Sequence, residues 1–223
     1  MREVVLDTET TGLNPMMGDR IVEIGCIELV NHVTTSVTFH RYLNPERPMP
    51  AEAAAVHGLT DDFLADKPLF ADVVDDLLTF LRDSPLVIHN AGFDLGFLNA
   101  EFGRLKIAPL PNDRAVDTLA LARRKFPGAQ ASLDALCRRF GVDNSARTRH
   151  GALLDAELLA EVYLELIGGR QPDLALASET AQRQATVRTA RAIRPPRPHA
   201  PSAEELARHA LMLESLSNPI WKQ

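Results

Sequence analysis

The sequence VVLDTETTGL at residues 4–13 places two acidic side chains directly after a run of apolar residues. Alternate residues of a β-strand face the same side, so Asp7 and Glu9 point together from one face of a strand whose Val4–Leu6 part is buried. A carboxylate is costly to bury without a neutralising partner. The stretch therefore predicts a core strand that carries a charged site at its end.

Two further acidic residues stand in similar settings later in the chain. Asp94 lies in VIHNAGFDLGFL (residues 87–98), where an apolar strand gives way to a helix. Asp155 lies in HGALLDA (residues 150–156), about one turn inside a helix that His150 precedes. The apolar side chains of that helix recur at helical spacing, at Leu153, Leu154, Leu158, Leu159 and Val162.

These four carboxylates are expected to hold metal ions. Oxygen ligands of this kind are what Mg²⁺ and Mn²⁺ prefer. Two such cations about 4 Å apart clamp the attacking and leaving oxygens when a phosphodiester is cleaved. The sequence therefore predicts a site for two divalent cations, Mg²⁺ or Mn²⁺, on Asp7, Glu9, Asp94 and Asp155.

The acidic motifs resemble those of the DEDDh exonucleases, which are metal-dependent 3′→5′ nucleases. They read here as Asp7-Thr8-Glu9, as the stretch from Asn90 to Asp94, and as His150 followed five residues later by Asp155. The flanking sequence narrows the resemblance to the epsilon, or proofreading, subunits of bacterial DNA polymerase III, over about residues 1–176. The supporting stretches include RIVEIGCIELV, VHGLTDDFLADKP, VDTLALARRKFPG and SLDALCRRFGVDNSARTRHGALLDAELLAEVYL.

This resemblance implies a catalytic role for five residues. Asp7 would bridge both cations, while Glu9 and Asp155 would hold the cation that activates water. Asp94 would serve the second cation. His150 would be the general base that takes a proton from that water.

The resemblance also implies contacts to the terminal nucleotide of a substrate. Glu52 lies five residues before the His57-Gly58 pair, as in the family. Leu13 would press against the last base, and strand alternation turns Thr8 away from the acids, into the core. The expected substrate-binding residues are Asp7, Thr8, Glu9, Thr10, Leu13, Glu52, His57 and Asp155.

The order of apolar runs predicts an α/β fold with a mixed central sheet flanked by helices. The resemblance implies that this is a ribonuclease H-like fold. Ser132 is expected to cap one helix, and Ser202 with Glu205 another, in a short C-terminal segment. Strands are expected at residues 3–8, 20–30, 34–43, 85–89 and 113–117, and helices near 51–56, 60–65, 69–82, 93–105, 117–125, 132–140, 151–167 and 203–216.

Charge divides the chain into an acidic domain and a basic tail. Residues 1–169 carry 16 basic and 25 acidic side chains, a balance of −9, whereas residues 170–223 carry 8 and 5, a balance of +3. A free-standing DNA-binding domain usually shows a basic footprint, so weak autonomous binding to DNA is expected. The predicted parts are an exonuclease domain (1–169), a flexible linker (170–202) and a polymerase-docking segment (203–223).

The tail is expected to carry two binding functions. Gln171, Leu174 and Leu176 resemble the short motif by which such subunits bind the sliding clamp. The helix near 203–216 is too short to be stable alone, and it would dock on the polymerase alpha subunit. The prolines and arginines between them are typical of a tether. Whether a small accessory subunit binds the nuclease domain stays open.

The composition favours a cytoplasmic globular protein. Hydrophobic residues make up 45% of the 223 residues, which is enough for a sizeable core. Cys26 and Cys137 are isolated in apolar surroundings, so two buried thiols are expected in a reducing compartment. Neither a signal-peptide pattern nor an apolar run of membrane-spanning length is present, so no membrane partner is expected.

Proofreading of a DNA 3′ end is the function that the resemblance implies, with release of 5′-monophosphates. One alternative is an RNA-trimming or oligoribonucleotide exonuclease of the same superfamily, and the long tail argues against it. Another is an adaptor that bridges polymerase and clamp and has no need of its nuclease. The complete set of five catalytic residues argues against that reading.

Overall fold

The computed structural model describes residues 1–145, 147, 149–169 and 200–216. The chain divides into two compact units, Met1–Asp173 and Leu174–Gln223. The clamp-motif residues Gln171, Leu174 and Leu176 lie outside the described residues, so the expectation placed on them stays a prediction. The boundary between nuclease domain and linker after residue 169 also stays a prediction.

A five-stranded sheet forms the centre of the first unit, in the order β3-β2-β1-β4-β5. The strands are β1 (Arg2–Thr10), β2 (Ile21–Val30), β3 (Val33–Tyr42), β4 (Leu86–Ile88) and β5 (Ala115–Asp117). β1, β2 and β3 pair antiparallel, whereas β4 pairs parallel with β1 and β5 pairs parallel with β4. The predicted mixed sheet is therefore confirmed.

The helices of this unit begin and end close to the predicted positions, within about two residues at most ends. Ser132 accepts a hydrogen bond from the Ala135 N–H, which confirms the predicted cap. The described helices are α1 (Ala51–His57), α2 (Asp61–Leu64), α3 (Phe70–Leu81), α4 (Ala91–Arg104), α5 (Thr118–Lys125), α6 (Leu133–Phe140) and α7 (Ala152–Leu166).

The sheet separates two hydrophobic cores. Val4 and Leu6 point into one core with α3 and α4, while Val5 points into the other with α5, α6 and α7. A strand that is buried on both faces has a continuous apolar run, and this explains the sequence of β1. Cys26 and Cys137 are free, buried thiols, one in each core, as predicted.

The described residues of the second unit form a helix, α8 (Ala203–Ser215). The Ser202 hydroxyl accepts a hydrogen bond from the Glu205 N–H, and the Glu205 carboxylate accepts one from the Ser202 N–H, which confirms the predicted capping box. Leu206 and Leu211 on this helix are exposed. Among the described residues, every helix is too short or too polar to cross a membrane.

Helix α7 packs tightly on β2 at Gly25, where a Cβ atom would overlap the backbone of Ala152 and Leu153. A Gly25→Ala change is expected to lower the melting temperature, since overpacking costs about 1–3 kcal/mol. Because Gly25 lies opposite Asp7 in the sheet and α7 carries Asp155, the two acids are expected to move apart. Thermal unfolding of the purified variant measures the first effect.

Gly103→Ala in α4 is the matched control for that change. A Cβ atom at Gly103 would meet no neighbouring atom within 4 Å. Alanine is the better helix former by about 1 kcal/mol, so this control is expected to keep or raise the melting temperature. An unchanged melting temperature in Gly25→Ala would contradict the tight contact between α7 and β2.

Candidate active site

One cavity of about 330 Å³ brings the predicted catalytic residues together. It lies where β1 ends and where α4 and α7 begin. The four predicted metal ligands and His150 come from three separate segments of the chain, and all of them line it. The lining residues are Asp7, Thr8, Glu9, His89, Asn90, Phe93, Asp94, Ser132, Leu133, Asp134, Arg147, His150 and Asp155.

Three chain segments turn at this cavity for local reasons. The pairing of β1 with β2 shifts register between Glu9 and Thr10, at the end of the strand. Asn90 has a φ of 67°, which turns the chain sharply from β4 into α4. Asp94 and Asp155 lie in the first turns of α4 and α7. The partial positive charge at a helix N-terminus favours carboxylates there.

Burial raises the pKa values of the carboxyl groups in this cavity. Burial is the main reason why the pKa of Asp7 lies well above its ordinary value, and repulsion from Asp94 and Asp155 adds to it. Burial, followed by repulsion from Asp155, raises the pKa of Glu9 to about 8. Burial raises the pKa of Asp94 to about 7, against the opposing effect of a hydrogen bond from Thr8. A bound cation reverses this balance and favours the charged forms.

The donor atoms in the cavity fit a divalent cation. Glu9, His150 and Asp155 each offer one ligand atom, and these three atoms lie within 4.8 Å of one another. Asp7 and Asp94 are outside this close group but line the same cavity. A set dominated by carboxylate oxygens matches hard cations such as Mg²⁺ and Mn²⁺.

Arg147 is a cavity residue that the sequence analysis did not single out. Its guanidinium meets Asp155 through two contacts, Nε to Oδ1 and Nη2 to Oδ2, each 2.6 Å long. It also donates to Asp134 Oδ1 and to His150 Nδ1, each at 2.7 Å. Arg149 lies in the same loop, and the sequence does not distinguish which of the two arginines turns inward.

His150 lies at the edge of the cavity, on the connection that leads into α7. Its backbone N–H donates to the carbonyl oxygen of Val56 in α1. Its side chain is 46% exposed, and Nδ1 lies 3.2 Å from Oδ2 of Asp155. The imidazole therefore lies between the carboxylates and solvent, a position that suits the exchange of protons with bulk water.

A second cavity, of about 510 Å³, adjoins the first. Thr8, Glu9 and Phe93 line both, so the two cavities share a wall. Asp7 and Asp155 line the first alone, while the other expected nucleotide contacts line the second. Those contacts are Thr8, Glu9, Thr10, Leu13, Glu52 and His57, and the same cavity is lined by Thr11, Gly12, Asp19, Pro50, Ala53, Val56 and Phe93.

Thr8 has a role in the structure that strand alternation alone does not predict. Its side chain is buried, as expected. Its hydroxyl nevertheless donates to Oδ1 of Asp94 at 2.7 Å, because the start of α4 packs beside the end of β1. Strand alternation concerns Asp7 and Glu9 and does not reveal this contact, through which Thr8 holds Asp94 in place.

The loop that leads to Asp94 is anchored to the end of β5. His89 Nδ1 lies 2.9 Å from the hydroxyl oxygen of Thr118, and the Asn90 N–H donates to Asp117 Oδ1 at 3.1 Å. Through these contacts His89 and Asn90 orient the loop. They fix the start of α4 and, with it, the position of Asp94.

The chain is similar to known proteins over most of its length. Residues 4–163 match the family described as Exonuclease. The DNA polymerase III subunit epsilon of Rickettsia felis is 56% identical over 185 residues, which cover 82% of this chain and 81% of that protein. The DNA polymerase III subunit epsilon of Salmonella typhimurium is 49% identical over 224 residues, covering 96% and 92%.

Solved structures of exonucleases share the fold. Exonuclease X in complex with 5′ overhanging duplex DNA is 27% identical, with a TM-score of 0.57, covering 74% of this chain and 90% of that one. The nuclease domain of 3′hExo, a DEDDh family member bound to rAMP, is 19% identical, with a TM-score of 0.65, covering 74% and 91%. The fold and the acidic cavity thus define a 3′–5′ exonuclease. The chain belongs to the exonuclease family and, within it, to the DNA polymerase III epsilon subunits.

The raised pKa of Glu9 makes the stability of the metal-free protein depend on pH. Between about pH 4.5, the ordinary pKa, and about pH 8, the folded protein keeps a proton on Glu9 that the unfolded chain releases. The unfolded state then binds fewer protons, so the free energy of unfolding falls as pH rises through this window. Melting in EDTA between pH 5 and pH 8.5 is expected to show this decline.

Glu9→Gln is the matched variant, because it keeps the shape of the side chain and removes its titration. Its melting temperature is expected to fall less steeply with pH than that of the wild type, with Asp7 and Asp94 causing the remaining slope. Added Mn²⁺ is expected to restore wild-type stability most strongly at pH 8, since metal ligands must lose their protons. If the melting temperatures of wild type and Glu9→Gln fell equally steeply with pH, the raised pKa of Glu9 would be contradicted.

Proposed function

We propose that this protein removes mispaired 3′-terminal nucleotides from DNA and that Asp7, Glu9, Asp94 and Asp155 hold two divalent cations, Mg²⁺ or Mn²⁺, for this reaction. The supporting observation is the gathering of these acids and His150 around one cavity. When bound, such cations stabilise the charge that develops on the phosphate and make water a stronger nucleophile.

The acids are held rigidly before a substrate arrives. Asp7 and Glu9 belong to a central strand that pairs with β2 along its whole length and with β4 at Val4 and Val5. Asp94 is fixed by Thr8, and Asp155 by the close packing of α7 on the sheet. Groups that are positioned in advance need no reorganisation in the transition state, which lowers the barrier.

His150 takes the proton from the attacking water in this proposal. The water oxygen forms the new bond to phosphorus, the bond to the 3′ oxygen of the preceding nucleotide breaks, and that oxygen takes a proton from solvent. The products are a 5′-monophosphate and a strand one nucleotide shorter with a free 3′ hydroxyl. The exposed position of His150 lets it pass the proton on to solvent.

The second cavity receives the terminal nucleotide. Ala53, Val56 and Leu13 line it with apolar surface that suits a base, and Leu13 is 85% exposed and free to pack against one. The wall shared by the two cavities then places the last phosphodiester over the acids. Glu52 and His57 supply polar groups to the same nucleotide.

Selection of a mispaired end needs no reading of sequence. A mispaired terminus unpairs more easily than a matched one, so its last nucleotide enters the second cavity more often. The Glu52 and His57 contacts are available to any nucleotide that arrives single-stranded. The preference therefore resides in the DNA end, and the protein supplies a cavity for the unpaired nucleotide.

The relatives favour this reading over the two alternatives. Epsilon subunits of other bacteria are 41% to 59% identical to this chain, whereas a separate RNA-trimming enzyme would have no need of residues 170–223. A purely bridging adaptor would have no need of five catalytic side chains in one cavity. We place the protein in the cytoplasm, at the replicating polymerase.

The partners follow from the tail and from the charge of the nuclease domain. The segment 203–223, which includes α8, docks on the polymerase alpha subunit in this proposal, and Gln171, Leu174 and Leu176 bind the sliding clamp. A tethered nuclease works at high effective concentration, so weak affinity for DNA is sufficient. The sequence leaves open whether a small accessory subunit also binds.

Release of nucleotide from a 3′-mismatched DNA primer tests the proposal directly. Wild type is expected to release 5′-monophosphates with Mg²⁺ or Mn²⁺ and none in EDTA. Asp7→Ala is expected to lose the activity, and Asp113→Ala, an exposed acid far from the cavity in sequence, is expected to retain it. A matched RNA primer that is degraded faster than DNA would favour the trimming alternative. No release by wild type with metal and polymerase present would favour the adaptor.

His150→Ala tests the assignment of the general base. The loss of a general base costs about 10²–10⁴-fold in rate, so kcat is expected to fall by that factor on the mismatched primer. The melting temperature is expected to change little, because the side chain is half exposed. A kcat close to that of the wild type would rule out this role for His150.

A further inference from the structure

Arg147 contacts three side chains at once, which is more than a single ion pair would involve. Its guanidinium contacts both carboxylate oxygens of Asp155, one oxygen of Asp134 and Nδ1 of His150. Its side chain is only 8% exposed although the loop around it lies at the surface. These four contacts hold the planar guanidinium of Arg147 in one specific position inside the cavity.

This position occupies the oxygen atoms that a cation would use. A bidentate guanidinium engages both oxygens of Asp155, in the strongest geometry that an arginine and a carboxylate can form. A divalent cation beside the same oxygens would lie within a few ångströms of the guanidinium charge, and like charges that close repel in a buried site. Arg147 and a cation on Asp155 therefore exclude each other.

The same side chain also engages the proposed general base. A guanidinium can only donate hydrogen bonds, so Nδ1 of His150 is the acceptor in their 2.7 Å contact. The 3.2 Å approach of Nδ1 to Asp155 is then not a hydrogen bond. A neutral imidazole that accepts at Nδ1 carries its proton on Nε2, so neither ring nitrogen has a lone pair free to accept a proton from water.

We propose that Arg147 is a positioning residue that couples the binding of a cation at Asp155 to the release of His150. Before the cation binds, Arg147 neutralises Asp155 and occupies His150. A cation that takes the Asp155 oxygens displaces the guanidinium and frees Nδ1 of His150 in the same event. This inference rests on the proposed function, because it assumes that Asp155 is a metal ligand.

Asp134 gives the displaced arginine a second place to bind. It lies in the first turn of α6 and lines the same cavity. Its Oδ1 accepts from Arg147 at 2.7 Å and from the Asn144 amide at 3.1 Å. Because its side chain is 44% exposed, this contact lies at the rim. Arg147 can therefore leave Asp155 and stay paired at the cavity wall.

The test is calorimetric titration of the full-length protein with Mn²⁺, without substrate, together with melting in EDTA. The variants are Arg147→Ala, Arg147→Lys and the control Arg149→Ala, which removes the same charge from the same loop. Arg147→Ala is expected to bind Mn²⁺ about tenfold more tightly than wild type and to melt at a lower temperature in EDTA. Arg147→Lys keeps the charge without the bidentate contact, so its Mn²⁺ affinity and its melting temperature are expected to lie between those of wild type and Arg147→Ala. Arg149→Ala is expected to have a Mn²⁺ affinity and a melting temperature close to those of wild type.

A result in which Arg147→Ala binds Mn²⁺ no more tightly than wild type would overturn the inference. So would an equal gain in affinity in Arg149→Ala, because that gain would reflect net charge alone. If Arg147→Ala does not fold in EDTA, the test rests on Arg147→Lys. Mn²⁺ binding by Arg147→Lys that is no tighter than that of wild type would then overturn the inference. Asp155→Ala separates this result from a failure of the proposed function. If wild type binds no Mn²⁺, or Asp155→Ala binds it as well as wild type, the metal site itself is wrong.

Discussion

The burial of four carboxyl groups around one cavity, together with the repulsion among them, is the constraint on which the site depends. Asp7 and Glu9 cannot move apart, because both are paired with β2 and β1 is packed between two cores. A flexible loop would relax the same charges by separating them. The rigid strand instead keeps the carboxylates close together, which lowers the stability of the metal-free protein. A divalent cation removes this repulsion when it binds, so the same arrangement raises the affinity for the cation.

Much of this arrangement could be predicted from local spacing. The alternation in β1 and the apolar periodicity of α7 located Asp7, Glu9 and Asp155, because both depend only on residues close in sequence. Arg147 could not be found in this way, since its inward position depends on Asp134 and Asp155, which other segments supply. The bond from Thr8 to Asp94 was missed for the same reason.

The acidic charge of the nuclease domain is consistent with its place in a larger assembly. A domain that gripped DNA strongly by itself would compete with the polymerase for every primer end, matched or mismatched. Residues 1–169 carry a net charge of −9, and the proposed function therefore assigns delivery of the end to the polymerase.

The wall shared by the two cavities limits how the enzyme can change. Thr8, Glu9 and Phe93 line both cavities, so a substitution there alters nucleotide fit and the acidic centre together. In the proposed function, a substitution at these three positions therefore cannot change accuracy without also changing speed. Val56 and Leu13 line only the second cavity, so in the proposed function they are the positions where the fit of the terminal nucleotide can change while the acidic centre is preserved.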